Sequence, residues 1–89
     1  MREPWPDAPD LVEVGADLVP IGCQPPTGDH TRIEIPADLA SVKRTPEVAQ
    51  AWQHHVRSAF QQAFAAGFVA VGFSRADPHR PRFLLHRRA

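Results

Sequence analysis

One cysteine in 89 residues, Cys23, leaves no internal disulfide to form and fits a reducing compartment. An excess of charge of either sign is also missing. Ten Lys and Arg balance ten Asp and Glu, so the formal net charge is zero and no general attraction to nucleic acid or acidic lipid follows. No apolar run is long enough for a signal peptide or a membrane span, which predicts a cytoplasmic protein with no membrane partner. Neither Gly-x-Gly-x-x-Gly nor a P-loop is present, so no phosphate cradle is visible. A chain of this length predicts one small domain over residues 1–89, able to bury about two thirds of its unfolded surface and therefore marginal or dependent on a partner.

What is there is a helix with both of its ends written out, from Thr45 to Gly67. Thr45 suits the N-cap, Pro46 the first helical position, and Glu47 places negative charge in the first turn. Gly67 supplies the left-handed residue that stops it. At 100° per residue Val48, Trp52, Val56, Ala59, Phe60 and Ala63 share an arc of about 120°, with Gln50, His54, Arg57 and Gln61 opposite. This is a helix laid on an apolar surface.

Around it the chain reads in order. Residues 1–10 hold three prolines and form a lead-in in which Trp5 is an anchor onto the core or onto a partner. Residues 11–35 predict a hairpin, Leu11 to Val14 with Leu18 to Ile21, then a loop from Gly22 to Asp29 and a strand from His30 to Ile35. Pro20 makes the second strand an edge or a bulged one. In the His30 strand Thr31, Ile33 and Ile35 alternate with Arg32 and Glu34, the pattern of a half-buried strand. Residues 36–67 carry a short helical turn, with Leu39 and Val42 inward, and then the long helix. Residues 68–89 predict a β-hairpin. Phe68 to Phe73 is a near-continuous apolar run, the mark of a strand buried on both faces, and Arg82 to Arg87 returns antiparallel. The expected fold is α+β: a small mixed sheet of four or five strands, one long helix on one face, and a crossover joining the His30 and Phe68 strands if these are parallel.

Little of the remaining chemistry converges. His30, His54, His55, His79 and His86 have no metal-ligand spacing on one element, so no metal is expected. Cys23 reads as a small, partly buried thiol, because no base is localised beside it. Asp7, Asp10, Asp17 and Asp29 lie in loops where turn chemistry explains them. No catalytic residue is assigned. Arg75, Arg80, Arg82, Arg87 and Arg88 make a basic tail, but Phe83 is its only aromatic and no nucleic-acid partner is expected. One flank of the helix stands out. Phe64 lies outside the main apolar arc, beside Gln53 and Arg57. It pairs with Phe60 under the loop before the last strand, or it faces a partner segment or ligand with Arg57 as a carboxylate or anion contact.

The stretch Ile33 to Phe73, with IEIPADLASVK, TPEVAQAWQHHVRSAFQQAFAAGFVAVGF and the terminal FLLHRR, resembles the C-terminal part of a family of predicted GNAT-superfamily acetyltransferases. The shared pattern is a strand ending in Ile35-Pro36, a helix with Trp52 and a later Arg57, a strand ending in Gly72-Phe73, and a Leu84-Leu85 pair. It covers about two thirds of the chain. Departures are equally specific: Gln53 stands where the family usually has Arg, Phe68 and Phe83 stand where it often has Tyr, and the chain has no tyrosine to act as general acid. The glycine-containing loop that takes the acyl-CoA pyrophosphate in that family has no match here, and the residues before His30 are too few to carry it. The resemblance implies a substrate-side half that is inactive alone. It would bind no cofactor by itself, acetyl-CoA entering only with a complementary half. The alternative is a non-catalytic α+β binding or dimerisation module that uses an exposed sheet edge, or the Phe64 and Arg57 flank.

Overall fold

The computed structural model describes residue 5, residues 8–15 and residues 19–88, with the backbone alone at positions 39 and 41. Strand β1 spans Val12–Val14, β2 Pro20–Cys23 and β3 His30–Glu34. Helices α1 (Leu39–Lys43) and α2 (Pro46–Ala65) follow, then β4 (Phe68–Ser74) and β5 (Arg82–Arg87). The class is α+β with five strands, as the sequence predicts. The strands do not make one mixed sheet, however: they divide into an antiparallel pair, β1-β2, and an antiparallel three-stranded sheet in the order β3-β5-β4. Because β3 and β4 both run antiparallel to β5, they are parallel to each other, and α2 crosses between them over the inserted strand.

Helix α2 begins and ends where its sequence directs. Pro46 opens it and Ala66 closes it with its N–H on the carbonyls of Gln62 and Ala63, after which Gly67 turns the chain at φ 89°. Thr45 stands at the N-cap in extended conformation, but its side chain makes no capping hydrogen bond. Trp52, Ala59 and Ala63 are buried, and Val48, Val56 and Phe60 pack beside them. Against this stripe the sheet presents Ile33, Leu85 and Phe68, each 1% exposed or less, and the hairpin adds Leu11 and Val12. Each large apolar side chain so enclosed contributes about 1.5–3 kcal/mol. The helix therefore contacts both sheets rather than one face of a single sheet.

The hairpin is displaced from its expected place. Its second strand starts at Pro20 and takes in Gly22 and Cys23, because Val12 pairs with Cys23 and a bulge shifts the register at Glu13 and Val14. Pro20 thus lies on a bulged edge strand, as its missing N–H requires. The turn expected at Gly15 to Asp17 lies partly outside the described residues, as does most of the lead-in. Trp5, expected to anchor on the core or on a partner, lies with its ring edge-on to the exposed His30 at 4.7 Å and is not among the residues packed on the core.

Two strands differ from their sequence reading in burial. β3 is not half-buried: Thr31, Arg32, Ile33 and Glu34 are all enclosed, the charged pair by partners brought from distant parts of the chain. β4 is not buried on both faces. With β5 inserted between it and β3, it becomes the outer strand, and Ala70, Val71, Gly72 and Phe73 are exposed.

Candidate functional site

The two outer strands of the larger sheet end in opposite ways. Along β3 the segment from Pro9 to Leu11 runs parallel and completes the ladder: Arg32 N–H donates to Pro9 O and Leu11 N–H to Arg32 O, both at 2.9 Å, and Thr31 Oγ1 adds a third bond to Pro9 O. Side chains lock this edge. Asp10 Oδ1 lies 3.0 Å from Arg32 Nε and 3.1 Å from Arg82 Nε, close ion pairs whose N–H directions fall off the hydrogen-bond line, while Arg32 Nη2 donates to Asp10 Oδ2 at 3.2 Å. On the same sheet face Glu34, its side chain 2% exposed, accepts two bonds from Arg80 through Oε1 and one through Oε2, at 2.8–3.2 Å. These bonds hold the Arg80 guanidinium above its ordinary value. A raised cation favours the fold below its unfolded value and stops doing so only as pH passes the folded one, far above neutrality, so Arg80 adds no pH dependence near pH 7.

Asp10, Arg32, Glu34, Arg80 and Arg82 therefore form one cluster, a grouping that no local pattern in the sequence announces. Asp10 is an ion-pair anchor, not a turn residue. Three arginines of the polar strand and basic tail are spent on ion pairs within the chain, Arg32 and Arg82 buried and Arg80 partly exposed. Arg87 is engaged too, donating to Gly28 O and Ala66 O and lying over the Phe68 ring at 4.8 Å. The one sequence signal for the cluster was the charge alternation in β3, which reads the same for a solvated face.

The β4 edge is open. Phe68–Ser74 carries no charge, and among the described residues no strand pairs with its outer side. A bulge at Val71, the extra residue between Ala70 and Gly72, pushes that side chain out to 50% exposure. Two residues further along, Phe73 packs on Phe83 with ring centroids 4.9 Å apart, Phe83 on Phe60 at 5.4 Å, and Phe60 on Phe64 at 5.6 Å. A continuous band of four rings runs from the helix to the open strand, with Arg75 over its far end. Phe64 is 54% exposed, so no loop covers the Phe60 and Phe64 pair. Gln53 and Arg57 extend the same side of α2 and are exposed, and among the described residues no hydrogen bond or ion pair engages the Arg57 guanidinium. The structure thus joins Phe64, through Phe60 and Phe83, to Phe73, a grouping that the helical wheel alone does not contain.

Other concavities carry less chemistry. A cleft of about 370 Å³ between β3, α1 and the start of α2 is lined by Glu34, Asp38, Thr45, Trp52 and His79, but Trp52 Nε1 is sealed within the protein and Glu34 is spent on arginine. Cys23 Sγ sits 3.6 Å from Ser58 Oγ, which accepts from Gln62 Nε2 at 3.1 Å, a polar contact between hairpin and helix without a base. Among the described residues no group of three or more His, Cys, Asp or Glu side chains is placed to hold a metal ion, and no helix is long and apolar enough to cross a membrane. The chain matches no family model, no curated protein and no solved structure.

Proposed function

We propose that this chain works by association: it is a binding module related to the C-terminal, substrate-side half of GNAT acyltransferases, with no acyl transfer of its own. The observation that carries this reading is the asymmetry of the sheet, closed by the chain's own Pro9 to Leu11 on one edge and left as bare apolar strand on the other. Uncovered strand edges flanked by exposed aromatics are surfaces that other chains add to. The relation to the acyltransferases is supported by the Ile35-Pro36, Trp52, Arg57, Gly72-Phe73 and Leu84-Leu85 pattern. It is also consistent with the parallel placement of β3 and β4 around the α2 crossover.

Calorimetry of the pure chain with acetyl-CoA tests the absence of a cofactor site. No binding heat is expected up to millimolar cofactor, and micromolar binding would overturn the reading. A second reading, in which a separate chain carrying the CoA loop completes an enzyme, is favoured by Arg57 on the aromatic flank, exposed and without an ion pair or hydrogen bond among the described residues. It predicts that activity appears only in the mixed complex and is lost in Arg57→Ala.

A further inference from the structure

We infer that the β4 edge is covered by β4 of a second copy of this chain, the two strands pairing antiparallel across a two-fold axis at Phe73. The inference rests on the association reading above and names its partner. The first argument is charge. A strand that reads a charged peptide needs a charge to read it with, and Phe68–Ser74 has none; an identical strand sets these uncharged residues against one another, with Arg75 just beyond them facing the second copy's Val71. The whole chain adds no long-range repulsion, its net charge being zero.

The second argument is register. The bulge at Val71 interrupts the edge, so regular pairing is available on its C-terminal side, at Gly72–Ser74. Antiparallel pairing there about Phe73 places Gly72 opposite the second copy's Ser74 and Val71 opposite the second copy's Arg75. Neither Arg75 then meets its own image. The two Phe73 rings meet at the axis and the four-ring bands continue into one another, while the extruded Val71 packs on the aliphatic stem of the opposing arginine. A two-fold contact of this kind is self-complementary and closes after two copies, which yields a continuous six-stranded sheet rather than a fibre.

The third argument is size. A small interface, about 1,200 Å² in total, hides about 600 Å² per copy, roughly a tenth of the 5686 Å² surface. Pairing over Gly72–Ser74, with Val71 and Arg75 at its ends and the exposed Phe73 and Phe64 beside it, suits the small end of that class. The expected dimer is accordingly weak, forming at micromolar and higher concentration.

The test is the mass of the full chain by light scattering across about 10 μM to 1 mM, with circular dichroism as the check on folding. Mass should rise from 9.9 kDa toward twice that value. Val71→Lys, at an exposed bulge, should stay folded and remain monomeric throughout. In a Cys23→Ser background, Phe73→Cys should cross-link to a dimer under mild oxidation, since residues directly opposite in an antiparallel pair lie within disulfide reach, whereas Val69→Cys should not. A monomer at 1 mM overturns the inference. So does a dimer that survives Val71→Lys, or one that cross-links through Val69→Cys and not Phe73→Cys. Capture of a different protein by a monomeric chain, lost in Val71→Lys, would overturn the second copy as partner while leaving the association reading intact. Acetyl-CoA binding would remove that reading whatever the mass.

Discussion

The two edges of the three-stranded sheet solve the same problem in opposite ways. The β3 edge is covered by the chain itself and held by partly buried ion pairs, so its strand groups are bonded before any partner arrives. The β4 edge is apolar and uncharged, and among the described residues a bulge interrupts it but no strand covers it. The closed edge is a stability device, the open one is the edge proposed above for association, and the two respond to different perturbations. Breaking a buried ion pair by removing one partner costs about 3–5 kcal/mol, while surface substitutions away from such features stay within about 0.5 kcal/mol.

That contrast can be broken from its costly side first. Trp52→Ala should cost about 3–5 kcal/mol in chemical denaturation, because the indole lies in the stripe that both sheets share. Glu34→Ala should cost a similar 3–5 kcal/mol, since Arg80 and Arg82 lose the carboxylate they surround. A loss below about 1 kcal/mol would mean the cluster does not hold the closed edge. Asp10→Ala should cost somewhat less, about 3 kcal/mol, its carboxylate being a quarter exposed, and should speed hydrogen exchange at the Leu11 and Arg32 amides ahead of those in β5. At the open edge, Val71→Lys should change stability by less than about 0.5 kcal/mol while removing self-association. Thr45→Ala is the smallest expected effect. A capping side chain is worth about 1 kcal/mol, but this hydroxyl caps nothing, so the loss should fall well below that value. Salt sharpens the comparison further: it should leave association through an uncharged strand unweakened from low to 1 M NaCl, whereas an interface built on Arg57 would fade.

How much of this could be read beforehand follows from where the determinants lie. Helix α2 was legible because Thr45, Pro46, the 3.6-residue stripe and Gly67 are all local in sequence. The α+β class and the antiparallel return of β5 followed from similarly local patterns. What failed was non-local. A run such as FVAVGF looks the same in a central strand as in an edge strand, and only the insertion of β5 beside β3 decides which it is. Arg32 and Glu34 alternate like solvated residues, and nothing near them in the chain announces Asp10, Arg80 and Arg82. Phe64 was visible as an outlier on the helical wheel, but its link to Phe73 passes through Phe60 and Phe83, two elements apart.

The central position of β5 also sets an order of events. It pairs with β3 across about fifty residues of sequence and with β4 across about fifteen, and it is synthesised after both. Until β5 pairs, β3 and β4 have no shared neighbour, and the uncharged Phe68–Ser74 segment lacks its sheet partner. Folding should therefore be limited by a late long-range step, and the interval before it is when this segment is most prone to pair with the wrong chain.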